Sequence, residues 1–245
     1  MSGMLILTPR RAGWLIASDA ANVSRDPMLL FASIMSLFPS IGLVLFRDAI
    51  DSAALGAFGL ADFSRYVVPV ALVLPAFLVG WVAGFLFLED RDDGPLLAID
   101  VTPVGKGGYV AYRVALSGLL IAAITLPATL ILAPGLHPAL ALLVAVLVAI
   151  EGVSAAVVLP ALARNKVEGL ALTKVTNLFA MMPLIAIVPF AWRYLAGILP
   201  PFWIGDLLGL SAEARLPLAI SVPLAIVVHL VVAIGLFRLL GRRSG

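Results

Sequence analysis

Long apolar segments separated by short polar ones are the dominant pattern along this chain. A helix needs roughly 20 apolar residues to cross about 30 Å of hydrocarbon. Six segments approach or exceed that length, at about residues 28–46, 66–88, 109–132, 138–162, 175–192 and 216–240. The pattern therefore predicts an all-α, polytopic membrane protein with six transmembrane helices in a single domain over residues 1–245. The first segment is short and contains Pro39, so it is the weakest candidate for a straight helix.

The composition supports the same prediction. The chain is 62% hydrophobic and 12% charged, with a mean hydropathy of +1.14, whereas soluble domains are about 45–50% apolar and about 25% charged. A soluble fold of this size could not bury so much apolar surface, so hydrocarbon is the better solvent. The chain has no cysteine, which excludes disulfides, zinc–thiolate sites and thiol nucleophiles.

The positions of lysine and arginine predict the orientation. If the N-terminus lies in the cytoplasm, twelve of the 16 basic residues fall on the inner side of the six spans. The four on the outer side are Arg47, Arg65, Arg193 and Arg215. The positive-inside rule therefore predicts that both termini are cytoplasmic.

Residues 8–24 are predicted to form an interfacial helix on the cytoplasmic surface. Thr8 can cap it, and Pro9 stands at the first helical position, where its missing N–H costs little. Arg10 and Arg11 can contact anionic lipid headgroups. An ordinary N-terminal tail is the alternative for this segment.

Two cytoplasmic loops are predicted, at about residues 89–108 and 163–174, and residues 89–104 are the most informative. An acidic cluster ends the second span, Gly94-Pro95 turns the chain, and a short apolar helix follows until Thr102-Pro103 stops it. A short apolar helix outside the membrane core needs a covering surface. That surface is either a partner protein or the lipid headgroup region.

With these residues the chain resembles the ABC-2 family of ABC-transporter permeases. The family carries an acidic end to the second span, a Gly-Thr turn, a leucine-rich segment, a Thr-Pro pair, and then a tyrosine and a basic residue. The counterparts in this chain are Glu89, Gly94, Leu96, Leu97, Thr102, Pro103, Tyr109 and Arg113. Pro95 stands where the family has its threonine, so the local turn differs. The resemblance implies that this loop is a coupling helix that contacts a separate ATPase.

The resemblance implies two ATPase-coupling loops. The first comprises Glu89, Asp92, Gly94, Leu96, Leu97, Ile99, Thr102 and Pro103. The second comprises Arg164, Asn165, Lys166, Glu168 and Gly169. This second loop and the outer Pro200-Pro201-Phe202-Trp203 segment are similar to the branch of fluoroquinolone or multidrug export permeases.

The implied function is that of the transmembrane permease subunit of an ATP-driven ABC exporter. It would move a drug-like or lipid-like substrate out of the cytoplasm, across the plasma (inner) membrane of a prokaryote. The implied partners are two ABC ATPase subunits, a second permease in a homodimer or heterodimer, and the lipid bilayer, with no nucleic acid. The chain itself would hold no cofactor and no catalytic or metal site, while ATP and Mg²⁺ would bind the ATPase subunits. Gly105-Lys106 is not a phosphate-binding loop, because Gly107 and Asp100 break that motif.

Two alternatives remain open. A membrane-embedded lipid-modifying transferase would use Asp90, Asp92 and Asp93 to hold a divalent metal. Asp90-x-x-Asp93-Gly94 opens like the motif of membrane alcohol phosphatidyltransferases, but the Ala-Arg pair and the downstream aspartates of that motif are missing. A scaffold subunit that transports nothing itself is the other alternative.

Two ionisable residues are predicted near mid-membrane, Glu151 in the fourth span and His229 in the sixth. A carboxylate at that depth costs about 2.5–3.5 kcal/mol on insertion scales, and such residues usually face the bundle interior. The pair therefore either lines a substrate or gating path or forms an interhelical hydrogen bond that fixes packing.

Gly80-x-x-x-Gly84 in the second span permits a close helix contact, within the chain or in a dimer.

Overall fold

The computed structural model describes residues 9–92, 105–211, 213 and 215–243, and all regular structure within these ranges is helical. The α-helices are α1 (Pro9–Arg25), α2 (Pro27–Phe58), α3 (Ser64–Asp92), α4 (Gly105–Leu132), α5 (Pro138–Leu162), α6 (Lys166–Thr176), α7 (Pro200–Leu207) and α8 (Leu218–Arg243). Two 3₁₀ segments, Asn177–Ile187 and Ala191–Ile198, lie between α6 and α7. Six stretches are long and apolar enough to cross a membrane. The all-α, six-span prediction is therefore confirmed.

The first span starts at a cap that the sequence encodes. The Asp26 carboxylate accepts hydrogen bonds from the backbone N–H groups of Met28 at 2.8 Å and Leu29 at 3.2 Å. Pro27 occupies the first helical position, where its missing N–H is harmless. The helix then continues through Pro39 to Phe58, well beyond the predicted end at residue 46. Membrane helices tolerate an internal proline because neighbouring groups compensate for the lost backbone bond.

The core of the bundle is the contact between α3 and α5. The span within α3 is 83% buried and that within α5 is 56% buried, against 22–28% for the other four spans. A Cβ atom added at Gly80 would lie 2.5 Å from the Gly152 carbonyl oxygen, and one at Gly84 would lie 2.9 Å from Leu159 Cδ1. The two glycines therefore pack α3 against α5 inside the chain.

The fifth span differs from its prediction at residues 175–192. It runs from Lys166 to Ile187, and its second half is the 3₁₀ segment that contains Pro183. Val188 adopts φ −59° and ψ 125°, an extended conformation imposed by the following Pro189. The predicted second loop at 163–174 is correspondingly shorter, because α6 begins at Lys166.

The outer segment after this span contains Pro200-Pro201-Phe202-Trp203, a sequence that predicts a broken, interfacial segment. It is broken into the second 3₁₀ segment and α7, and the apolar side chains of α7 are buried in the bundle. Phe202 and Ile204 are fully buried, and a Cβ atom at Gly205 would lie 2.1 Å from the Pro183 carbonyl oxygen. α7 therefore packs against the first 3₁₀ segment rather than lying on the surface.

Candidate functional site

The end of the bundle that carries α1, the C-terminus of α3 and the α5–α6 connection is called the proximal end here. Arg91, near the end of α3, donates hydrogen bonds to three backbone carbonyls at the end of α5 and in that connection. The acceptors are Pro160 at 3.4 Å, Ala163 at 3.2 Å and Arg164 at 2.7 Å. One guanidinium therefore holds the end of α3 against the α5–α6 connection.

A salt bridge makes a second link at the same place. Lys166 Nζ at the start of α6 lies 2.9 Å from Glu89 Oε1 on α3. Both side chains are partly exposed, so the pair contributes less than about 1 kcal/mol to stability. Its position matters more than its strength, because Glu89 and Lys166 belong to the two different predicted coupling loops. The Arg91 contacts and this salt bridge together define the proximal junction.

The remaining residues of the second predicted loop form the start of α6. Asn165 Oδ1 accepts a hydrogen bond from the Glu168 N–H at 2.9 Å, and Glu168 Oε2 accepts one from the Arg164 N–H at 2.8 Å. These reciprocal bonds resemble a capping box. A Cβ atom at Gly169 would lie 2.8 Å from Leu88 Cδ1, so α6 packs closely on the end of α3.

The first predicted loop is only partly described. Glu89 and Asp92 are helical, because α3 continues to Asp92 instead of ending at residue 88, and the side chain of Asp92 is not described. The other predicted coupling residues lie outside the described residues; they are Gly94, Leu96, Leu97, Ile99, Thr102 and Pro103. Asp93 of the transferase alternative also lies outside them.

A buried cluster of charges and aromatic rings joins α1, α3 and α4 at the proximal end. Arg113 Nη2 lies 3.0 Å from Asp19 Oδ1 and 2.6 Å from Asp90 Oδ2. The Tyr109 hydroxyl donates to Asp90, and the Tyr112 hydroxyl donates to Asp19 at 3.1 Å. The Arg113 guanidinium also stacks over the Tyr109 ring at 4.7 Å. Burial raises the pKa of the Asp19 carboxyl above its ordinary value, although the nearby Arg113 charge opposes the shift.

The sequence only partly indicated this cluster. Tyr109 and Arg113 are four residues apart, a spacing that places both on one helix face. Asp19 had no comparable signal, because it lies 94 residues from Arg113. Asp19 and Arg113 of this cluster line a cavity of about 500 Å³ between α1, α2, α3 and α4. That volume falls in the range of about 300–1,000 Å³ that is usual for drug-sized ligands.

The two predicted intramembrane residues lie together. His229 Nε2 on α8 is 3.0 Å from Glu151 Oε1 on α5, and both side chains are at most 2% exposed. His229 Nδ1 lies 2.7 Å from the Ala225 carbonyl oxygen. The pair borders a second cavity, of about 230 Å³, between α5, α8 and the 3₁₀ segments.

A further buried ion pair at the opposite end was not singled out from the sequence. Arg193 Nη2 lies 3.5 Å from Asp206 Oδ1, and the Arg193 Nη1 group donates to the Val188 carbonyl at 2.9 Å. Asp206 also accepts from the Tyr194 hydroxyl at 3.0 Å and from the Ser221 hydroxyl at 3.0 Å. These contacts fasten α7 to α8 and to the 3₁₀ segments. Arg193 was placed in an outer loop by the sequence, and only the fold shows that it is buried.

Comparison with known proteins identifies the family. The family model described as Fluoroquinolones export permease protein Rv2686c-like matches residues 19–237. Two relatives are similar to this chain, namely the fluoroquinolones export permease proteins Rv2686c and MT2760 of Mycobacterium tuberculosis, from strains ATCC 25618 / H37Rv and CDC 1551 / Oshkosh. Each is 29% identical over 203 residues, which is 80% of this chain and 80% of the relative. No solved structure matches the chain.

The family match and the six apolar helices agree on the class of protein. The chain is a multi-pass membrane protein, consistent with a prokaryotic inner membrane. The predicted resemblance to the drug-export permease branch is confirmed by the family model, which covers most of the chain. The chain belongs to the Rv2686c-like family of fluoroquinolones export permease proteins.

Proposed function

We propose that this chain is the transmembrane permease subunit of an ATP-driven ABC-2-type exporter. It moves drug-like or lipid-like molecules out of the cytoplasm, and its proximal end faces the cytoplasm. The export activity is supported by the printed names of the relatives, and the orientation by the excess of basic residues on that side. Two ABC ATPase subunits bind ATP and Mg²⁺, and a second permease completes the complex. This chain contributes no catalytic residue.

The observation that carries this proposal is the proximal junction. Arg91 and Glu89 on α3 contact the α5–α6 connection and Lys166, so the two predicted coupling loops start from one connected structure. The junction is continuous with α3, the most buried span of the bundle. A movement that an ATPase imposes on this junction therefore reaches the core through α3. A permease subunit that is driven by a separate ATPase needs such a connection between its cytoplasmic end and its core.

The transferase alternative finds less support. Asp90, one of its three carboxylates, is buried and already bound to Arg113 and Tyr109. A divalent cation would have to displace that guanidinium from Asp90. Replacing Asp92 and Asp93 together by asparagine should leave export at least partly active. Complete loss of activity with retained folding would favour the metal enzyme instead.

The test is co-purification of the tagged full chain with its ABC ATPase, followed by drug-stimulated ATP hydrolysis in proteoliposomes. Leu97→Glu should remove most of the bound ATPase, because burying a leucine side chain contributes about 1.5–3 kcal/mol and a carboxylate cannot replace it. Leu60→Glu is the matched control, since Leu60 is an exposed leucine at the opposite end of the bundle. It should retain the complex, and both variants should elute as folded protein.

Two results would count against the proposal. An intact complex with normal drug stimulation in Leu97→Glu would show that the loop is not the docking site. Failure of any ABC ATPase to co-purify from the native host, together with export that continues without ATP, would show that the exporter is not ATP-driven.

A further inference from the structure

The cavity beside Glu151 and His229 has an apolar wall and one polar corner. Its volume is about 230 Å³, and it is lined by Phe77 of α3, Val158 of α5, Phe179 of the first 3₁₀ segment and Leu236 of α8. Ile198 on its rim is 75% exposed, so the cavity opens towards the surroundings of the bundle. An apolar molecule of suitable size could therefore enter from the side of the bundle.

The hydroxyl groups that line this cavity are already engaged. Ser154 Oγ donates to the Ile150 carbonyl at 2.8 Å. Thr176 Oγ1 lies 3.2 Å from the carbonyl oxygens of both Leu172 and Thr173. Neither hydroxyl therefore needs a ligand to satisfy its hydrogen.

Glu151 differs from these residues. Its Oε1 contacts His229, but its Oε2 is buried and has no hydrogen-bond partner among the residues that the structure describes. A buried acceptor without a partner costs about 1–3 kcal/mol, and more if it is charged. Because Glu151 lines the cavity, a donor placed there can remove that cost.

The position of the protons follows from the two contacts of His229. The Ala225 carbonyl can only accept, so His229 Nδ1 carries a hydrogen. A deprotonated Nε2 facing a carboxylate Oε1 at 3.0 Å would set two lone pairs against each other, so one proton is shared between these atoms. Glu151 Oε2 is consequently an acceptor in either arrangement of that proton.

We propose that this cavity binds the ammonium group of an amphipathic amine. This inference deepens the proposed function, and it depends on that function only in regarding the amine as a transported molecule. The ammonium N–H donates to Glu151 Oε2, and its charge stabilises the ionised carboxylate, since charge-assisted bonds are about twice as strong as neutral ones. The apolar carbons next to the amine pack on Phe77 and Phe179.

The size of the cavity limits how much of the molecule it holds. Pockets for drug-sized ligands are usually about 300–1,000 Å³, and this cavity is smaller, at about 230 Å³. It therefore takes the amine end and the apolar carbons beside it, while the rest of the molecule extends past Ile198.

The test measures binding to the purified full chain in lipid nanodiscs without any ATPase. The probe is dansylcadaverine, a fluorescent aromatic molecule with a primary amine, and its N-acetyl derivative is the neutral control of nearly the same shape. The wild-type chain should bind the amine roughly 10- to 100-fold more tightly than the acetylated probe, the range expected for a hydrogen bond to a charged group. Equal affinities would overturn the proposal.

Variants locate the site. Glu151→Gln can still hydrogen-bond to His229 but lacks the charge, so it should bind both probes equally. Asp48→Asn is the control, because Asp48 is an exposed carboxylate elsewhere in the chain, and it should keep the preference for the amine probe. A preference that survives in Glu151→Gln would overturn the proposal. Val158→Phe should fill the cavity and weaken the binding of both probes at least 10-fold. Unchanged binding in this variant would also overturn the proposal. If Glu151→Gln does not fold, the wild-type ratio and Val158→Phe decide.

Because no ATPase is present, these measurements are independent of the co-purification test. Loss of amine preference with an intact ATPase complex would reject only the amine site. A confirmed amine site without ATPase co-purification would reject only the ATP-driven function.

Discussion

Replacing Gly80 by alanine tests the closest helix contact in the core of the bundle. The added Cβ atom would lie 2.5 Å from the Gly152 carbonyl oxygen and 2.7 Å from Ala155 Cβ. Non-bonded heavy atoms prefer separations of about 3.5–4.0 Å, so α3 and α5 must move apart by about 1 Å. Neither obstacle is the end of a flexible side chain, and relief therefore requires movement of a whole helix.

Two effects of opposite sign decide how much Gly80→Ala changes the free energy of unfolding. Alanine is favoured over glycine inside a helix by about 1 kcal/mol. Overpacking of a well-packed core costs about 1–3 kcal/mol, and the upper part of that range applies because a backbone oxygen is involved. We expect Gly80→Ala to lower the free energy of unfolding by about 1–2 kcal/mol. Gly42→Ala in α2 is the matched control, because its added Cβ would meet no atom within 4 Å.

The assay is unfolding of the detergent-solubilised chain with increasing SDS, followed by the fluorescence of its four tryptophans. The midpoint should fall for Gly80→Ala and stay equal or rise for Gly42→Ala. Equal midpoints for the two variants would refute the reasoning, because they would show that the α3–α5 contact accommodates a methyl group without cost.

Two further predictions concern the proximal end. Lys166→Glu should change stability by less than about 1 kcal/mol, since its pair with Glu89 is partly exposed, but it should reduce drug-stimulated ATP hydrolysis. Adding Glu89→Lys should restore that stimulation, and a double variant no better than the single one would contradict a direct role of the pair. Arg113→Met should lower stability by about 3–5 kcal/mol in thermal unfolding, because it leaves the buried Asp90 carboxylate and the partly buried Asp19 carboxylate without a cation. Adding Asp19→Asn should recover part of the loss; an unchanged melting temperature in Arg113→Met would show that the cluster adds no stability.

Much of the helical framework could be predicted because its causes are local. Each span is a continuous apolar run, and a run of that length has to be helical in lipid, where the backbone must satisfy its own hydrogen bonds. The start of α2 is likewise local, since Asp26 caps the helix and Pro27 occupies its first position. The α3 boundary was less predictable, because the charged residues 89–92 continue the helix instead of ending it.

The candidate site could be predicted only as a set of residue types. That Glu151 and His229 lie near mid-membrane followed from their places within two apolar runs. Their contact with each other depends on how α5 and α8 are rotated about their axes. Only the packing of the helices sets that rotation. The same holds for the proximal junction, where Arg91 contacts carbonyls about 70 residues away in sequence.

The sequence by itself determined the class of protein, the number of spans and the residues available for polar contacts. These features follow from apolar runs and helix caps, which depend only on residues close together in the chain. The tertiary structure alone decided that Asp19 pairs with Arg113, that the segment around Phe202 is buried, and that Glu151 Oε2 lacks a partner among the described residues. These features depend on contacts between distant elements, whose geometry is set by the fit of the α3–α5 core.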